Sequence, residues 1–247
     1  MPLKNIEGFE YPIKIHQTIL RSTLNLMSNR GYSKSSILPS KPLSAWLSPQ
    51  YLSLPDIERF KATFSTSKPY PYLEFKNFFQ LEKIIPVVKA LAEEQFHPQQ
   101  ADLFQFKQTG DLSATKNKVL HDFRTFLSSV EFTSYLSYIT STNLKAESID
   151  MSGTLYEDTD YLLCHDDQLE GRKIAYFLYL SDVDKNDGGA LNLFSSKNGI
   201  PTDAAATIIP KFNTFSFFLV SERSFHEVTE VVRDVQRIAI SGWFHDK

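Results

Sequence analysis

The feature that most constrains the fold is a change of pattern at Ile149. From there onward, short β-prone runs alternate with turn signals, at 150–165, 173–181, 189–194, 206–209, 213–220, 225–232 and 236–244. Short strands at such regular spacing predict an antiparallel sandwich or jelly roll. Asp187-Gly188-Gly189 supplies a turn between two of them.

Upstream the periodicity is helical. Ile15, Ile19, Leu20, Leu24 and Met27 recur at helical spacing between Pro12 and Asn29, and Gly31 sits where that helix would stop. Pro39, Pro42 and Pro49 then interrupt the pattern. A short helix follows from Ser53-Leu54-Pro55-Asp56 to about Phe64, with a proline near its start and an acid in its first turn. Ser65 to Pro71 reads as a linker, so residues 1–70 are taken as an N-terminal helical extension without an assigned role and 71–247 as the main domain. Within the latter, Tyr72 to Phe78 reads as a strand. Leu81 to Gln95 reads as a helix in which Pro86 predicts a kink or a later start. Thr115 to Ile139 reads as one helical stretch with Val119, Leu120, Phe123, Phe126 and Leu127 on one side.

Composition narrows the function. A chain of 247 residues with 42% hydrophobic content has the material for a sizeable core. Its net charge of −3 offers no basic field, so direct contact with nucleic acid is not expected. The lone Cys164 excludes an intrachain disulfide, suits a reducing compartment and reads as a small buried hydrophobe. No apolar run approaches the ~20 residues of a membrane helix, and Met1-Pro2-Leu3-Lys4-Asn5 lacks a signal-peptide core. The expectation is a cytoplasmic protein with no membrane partner; the oligomeric state stays open. No Gly-rich phosphate loop, Cys-x-x-Cys pair or Gly-x-Ser-x-Gly elbow is present. The acids Glu157, Asp158, Asp160, Asp182, Asp184 and Asp187 fall in loops and read as solvated.

The β-rich region carries the candidate chemistry. In Leu162-Leu163-Cys164-His165-Asp166-Asp167, a strand period of two sends His165 and Asp167 to one face and Asp166 to the other. With His226, from a later β-run, they complete the two-His, one-carboxylate set that binds one face of an octahedral metal and leaves three positions open. Alone, His-x-Asp is as well explained by a surface pair or a hydrogen-bonded core histidine; the second His and the Arg that follows tip the balance. Arg237 begins a run in which Arg237, Ala239, Ser241 and Trp243 share one face. An inward guanidinium beside a metal predicts an anionic cosubstrate, because its planar fork matches a carboxylate. By the same parity Leu163 lines this cavity and Trp243 is either its wall or plain core. Tyr156 is close enough in the pattern to reach it. His16, His97 and His121 lie in helical or loop segments and read as surface residues, and His245 as a rim or structural residue.

These residues come with wider strings. His165-Asp166-Asp167, Glu170 to Leu180, Gly188-Gly189-Ala190-Leu191-Asn192-Leu193-Phe194, Ser224-Phe225-His226 and Ser241-Gly242-Trp243-Phe244-His245 resemble the 2-oxoglutarate and Fe(II)-dependent oxygenases. Within them the chain is most similar to the ribosomal-protein prolyl 3-hydroxylases, from about Pro71 to His245, over the catalytic domain. The resemblance implies a mainly β fold with flanking helices, a distorted double-stranded β-helix (jelly roll). It implies Fe(II) at His165, Asp167 and His226, with 2-oxoglutarate and O₂ as cosubstrates and ascorbate as an accessory reductant. It implies that Tyr179 joins Arg237 on the far carboxylate, that Asn192 lies near the substrate mouth, and that the partner is a prolyl residue of a small-subunit ribosomal protein. Eukaryotic members carry a second, degenerate domain of the same type, so a chain stopping at Lys247 is either a single-domain relative or a shortened one. Two rivals remain: an oxygenase of a free amino acid or other small molecule, and a catalytically silent peptide-binding module.

Overall fold

The computed structural model describes residues 40–246, so the helix read over Pro12–Asn29 and His16 lie outside them. In chain order the elements are α1 (Lys41–Trp46), α2 (Leu54–Thr66), β1 (Tyr72–Phe75), α3 (Leu81–Leu91), β2 (His97–Ala101), β3 (Phe104–Gln108), α4 (Lys118–Ser128), α5 (Val130–Thr140), β4 (Ser152–Tyr156), β5 (Tyr161–His165), β6 (Arg172–Tyr179), β7 (Leu191–Lys197), β8 (Ile200–Ile208), β9 (Thr214–Leu219), β10 (His226–Val228) and β11 (Arg237–His245). The strands pair antiparallel in the order β1-β9-β6-β11-β4-β3-β5-β10-β7-β8, with β2 as a hairpin arm on β3. This curled antiparallel sheet with flanking helices is a distorted jelly roll, one of the two architectures the strand spacing allows and the one the resemblance implies.

The central strands are buried on both faces, which explains their near-continuous apolar runs. On β6, Ile174, Tyr176 and Leu178 join Phe215, Phe217, Ile240 and Phe244 in a core shared with the helices. The alternate residues Ala175 and Tyr179 join Phe218 and Ala239 in a second core inside the curl. The period of two therefore sorts each strand between a helix-facing and a cavity-facing set. Arg237 belongs to the cavity side, in register opposite Tyr156.

The helices are set by local capping. Ser53 caps α2, its hydroxyl accepting from the backbone N–H of Asp56 at 3.3 Å. The stretch read as one helix over 115–139 is two. Ser129 ends α4 by donating its hydroxyl to the Phe126 carbonyl and starts α5 by accepting from the Phe132 N–H. One serine side chain thus serves as stop and start. Helix α3 begins at Leu81, runs through Pro86 and ends at Leu91, short of Gln95.

Residues 40–70 are part of the same core. Leu43, Leu47, Tyr51, Ile57 and Phe64 are buried in the helix-side cluster, and Phe64 stacks on Phe217 of β9. Asn213, fully buried with φ +57, locks the chain before α3 to β9: its amide donates to the Phe79 carbonyl and its carbonyl oxygen accepts the Phe79 N–H.

Candidate metal centre

The register of β5 and β10 builds the centre. His226 pairs directly opposite His165, so two imidazoles lie side by side with ring centroids 4.2 Å apart. Each ring is fixed by its own chain: Nδ1 of His165 lies 2.8 Å from the Leu163 carbonyl, and Nδ1 of His226 lies 2.7 Å from the Ser224 carbonyl. A carbonyl oxygen can only accept, so Nδ1 carries the proton in both rings and the lone pair of each neutral ring sits on Nε2.

Asp167 meets these lone pairs by a route the strand pattern does not contain. Strand β5 ends at His165, and Asp167 adopts a left-handed backbone with φ +63 that turns its carboxylate back between the rings. The Ser224 hydroxyl donates to the Asp166 carbonyl at 2.8 Å and ties this turn to the chain entering His226. Asp167 Oδ1 lies 3.4 Å from His165 Nε2, and Oδ2 lies 3.4 Å from His226 Nε2. Three acceptors therefore converge, with ligand atoms all within 4.8 Å of one another. Without a positive charge between them, two imidazole lone pairs facing a carboxylate would repel. Protonation supplies that charge when nothing else does. Burial pulls the His165 imidazole down, yet the Asp167 carboxylate outweighs it and its pKa moves up. Burial pushes the Asp167 carboxyl up, and the two histidines reverse this to hold it well below the usual carboxylate range. A divalent cation would serve the same need better, because all three donors could bind it at once.

Two side chains steady the carboxylate from behind. The Trp243 indole N–H donates to Asp167 Oδ2 at 3.0 Å. The Arg172 guanidinium lies 3.4 Å over the Trp243 ring, with Nη1 3.9 Å from Asp167 Oδ1. Trp243 is thus neither plain core nor simply a wall; it is a hydrogen-bond donor to the turn. Its parity with Arg237 was readable, whereas the Arg172 contact was not, since only the folded register of β6 beside β11 brings it over the ring. Tyr70 was also missed: its hydroxyl donates to the Phe225 carbonyl at 2.9 Å and its ring packs on Phe218, which itself contacts His226.

The same inner face of the sheet carries a buried guanidinium. Arg237 is 1% exposed. Its Nε donates to the Gly189 carbonyl at 2.8 Å, while Nη2 has no partner. The guanidinium lies 4.8 Å from the Tyr156 ring and 5.3 Å from the Tyr179 ring. Gly188 and Gly189 make this possible. Both have positive φ, and a Cβ on Gly188 would lie 1.8 Å from the Glu230 carbonyl oxygen. The Tyr179 hydroxyl is also buried without a partner. Burial pushes this phenol up to about 12, against the opposing pull of Arg237, so it keeps its proton at neutral pH and can donate. Unpartnered buried donors are costly, and an anion held between Arg237 and Tyr179 satisfies both.

Several expected positions differ. The pairing of β5 with β10 shifts register between His226 and Val228, so His165 and Leu162, rather than His165 and Leu163, face inward. Leu163 is 44% exposed and lines, with Tyr161 and Glu227, an outer groove of ≈ 420 Å³. Asn192 also points away from the cavity, between buried Leu191 and Leu193, donating to Glu227 and accepting from Thr207. Cys164, expected as a buried hydrophobe, is only partly buried, since it alternates with His165 onto the outer face of β5. His97 and His121 lie far from the centre in sequence and are exposed, and His245 pairs with Asp150 at 3.2 Å.

Comparison with known proteins agrees with this geometry. The profile of the 2OG-Fe(II) oxygenase superfamily matches residues 151–245. Prolyl 3-hydroxylase OGFOD1 of Xenopus laevis is 38% identical over 191 residues, covering 76% of this chain and 37% of that protein. Prolyl 3,4-dihydroxylase OGFOD1 of Ostreococcus tauri is 36% identical over 199 residues, covering 72% and 38%. Prolyl 3-hydroxylase sudestada1 of Drosophila melanogaster is 36% identical over 169 residues, covering 64% and 31%. The chain thus spans about a third of the length of these relatives. A prolyl-4-hydroxylase from Pseudomonas putida superposes with a TM-score of 0.60 at 15% identity, covering 77% of this chain and 99% of that one, which speaks to the fold alone. With the matched segment running from β4 through β11 and holding every residue of the three-ligand cluster, the chain belongs to the 2OG-Fe(II) oxygenase superfamily, whose members use Fe(II), 2-oxoglutarate and O₂.

Proposed function

We propose that this protein is a 2-oxoglutarate and Fe(II)-dependent oxygenase that hydroxylates a prolyl residue of a protein, with a small-subunit ribosomal protein as the substrate. The observation that carries the chemistry is the convergence of two Nδ1-pinned imidazoles and one carboxylate beside a buried, unpartnered Arg237–Tyr179 pair. The prolyl substrate is supported by the names of the relatives, two of them prolyl 3-hydroxylases and one a prolyl 3,4-dihydroxylase, and the ribosomal part by the motif resemblance of the strings around His165, Tyr179 and Trp243.

On this reading His165, Asp167 and His226 hold Fe(II), and Arg237 and Tyr179 hold the far carboxylate of 2-oxoglutarate. When bound, the metal and 2-oxoglutarate together supply O₂ activation coupled to oxidative decarboxylation, which yields succinate, CO₂ and a hydroxylated C–H bond. The protein's part is placement. The carbonyls of Leu163 and Ser224 keep Nε2 of both histidines open to metal, and Trp243 and Arg172 hold the carboxylate angle. Arg237 is buried in the wall, where the attraction of a guanidinium for an anion is stronger than at the surface. Among the described residues no helix is long and apolar enough to cross a membrane. A cytoplasmic location is part of the proposal, supported by the single, partly exposed Cys164.

The test is mass spectrometry of small-subunit ribosomal proteins from the host with and without this gene. One added oxygen on a single proline, lost with the gene and restored by wild type but not by Asp167→Ala, is the expected result. Turnover of free proline or another small metabolite far above any ribosomal peptide would leave an oxygenase with a different substrate. Absence of succinate formation with every substrate would favour the silent binding module.

A further inference from the structure

Among the described residues, four buried side-chain polar atoms lack a hydrogen-bond partner, and three of them are Arg237 Nη2, Tyr179 OH and Ser216 Oγ. Ser216 is 1% exposed on β9. In the β6–β9 register it sits opposite Phe177, one step along the same face from the Tyr179–Thr214 pair. Its side chain is close enough to act on the Tyr179 phenol, as is that of Arg237. Three buried polar side chains from β6, β9 and β11 therefore meet inside the curl, in reach of one another yet without a full hydrogen bond. Its immediate neighbours Phe177, Phe218 and Ala175 are apolar, so a buried serine hydroxyl there is costly unless it has a use.

We propose that Ser216 is a third anchor of the cosubstrate, its hydroxyl donating to the same distal carboxylate as Arg237 and Tyr179; this rests on the cosubstrate reading above. A carboxylate offers about four lone-pair sites on two oxygens. Arg237 cannot present its side-on fork to them, since Nε is held by the Gly189 carbonyl. The outer guanidinium nitrogens, one phenol and one serine hydroxyl then make a three-sided cradle that a ligand without the distal carboxylate leaves unsatisfied. Ser216 in this role sets specificity for the five-carbon diacid over its monoacid counterpart.

The experiment uses protein loaded with Mn(II) and measures calorimetric affinity for 2-oxoglutarate and for 2-oxopentanoate, which carries a methyl group in place of the distal carboxylate. Ser216→Ala should weaken 2-oxoglutarate about 10-fold, the worth of one hydrogen bond to a charged group. It should leave 2-oxopentanoate and Mn(II) affinity unchanged. The melting temperature without ligand should hold or rise, because an unsatisfied buried hydroxyl is removed. Arg237→Met, run in parallel, should lose 2-oxoglutarate far more severely. Wild-type affinity for 2-oxoglutarate in Ser216→Ala, or equal losses for both ligands, would overturn the Ser216 assignment while the Arg237 result upholds the cosubstrate reading. Wild-type 2-oxoglutarate affinity in Arg237→Met would overturn that reading itself.

Discussion

Asp167 shows how much of the site depends on single contacts. Each of its oxygens faces one imidazole and one further side chain, Oδ1 with His165 and Arg172, Oδ2 with His226 and Trp243. Removing the carboxylate in Asp167→Ala takes away the charge that the other ligands converge on. Divalent metal binding should fall below detection while far-ultraviolet circular dichroism stays that of wild type. Trp243→Phe is the finer probe, since it keeps a ring beneath Arg172 and deletes only the N–H. Partners that orient a metal ligand are typically worth about 10–100-fold in metal affinity, so a Co(II) titration should show a loss in that range with an unchanged fold. A variant that binds Co(II) as tightly as wild type would mean that the indole does not position the carboxylate. Both residues were readable from sequence, but not the way they act. Strand parity put His165 and Asp167 on one face, whereas a left-handed turn at Asp167 brings them together.

At the scale of elements, legibility followed amphipathic contrast. Strands β6, β9 and β11 stood out because both faces are buried and their apolar runs are long. The β2–β3 hairpin was missed because His97-Pro98-Gln99-Gln100-Ala101 is mostly exposed and offers no alternating apolar set. The register shift beside His226 was equally invisible, and it reversed the side on which Leu163 was expected. Two helices were read as one because the break lies in a single serine hydroxyl, not in a Gly or Pro. The Gly188-Gly189 turn was read correctly as a turn, yet its second use, a carbonyl aimed at Arg237, needed the structure. Gly188→Ala should test that use, because its Cβ would collide with the Glu230 carbonyl and its φ of +77 is strained for alanine. The expected outcome is a melting temperature several degrees below wild type together with weaker 2-oxoglutarate binding. An unchanged melt would show that the turn can relax.

Over the described residues two cores lie on the two faces of one sheet, and the helical side begins well before the linker read at Ser65 to Pro71. Leu43, Leu47, Tyr51, Ile57 and Phe64 are buried against the back of the strands that carry Tyr179, Ser216 and Arg237. Truncating a large core side chain costs about 3–5 kcal/mol, a large share of the roughly 5–15 kcal/mol that holds a typical domain together. A chain starting at residue 71 is therefore expected to lose cooperative thermal unfolding, measured by near-ultraviolet circular dichroism. A sharp melt near that of the full chain would instead mark residues 40–70 as dispensable.

The central claim is that the cavity takes a divalent metal through His165, Asp167 and His226 and then 2-oxoglutarate through Arg237. A ligand at about 100 times its Kd stabilises the native state by ~2.7 kcal/mol, and each kcal/mol is worth about 2–4 °C in a domain of this size. Thermal melts of wild type, Asp167→Ala and Arg237→Met, with and without Mn(II) and 2-oxoglutarate, test it in one series. Wild type should gain several degrees from 2-oxoglutarate only when Mn(II) is present, and neither variant should gain them. An equal gain without metal, or in either variant, would contradict the account.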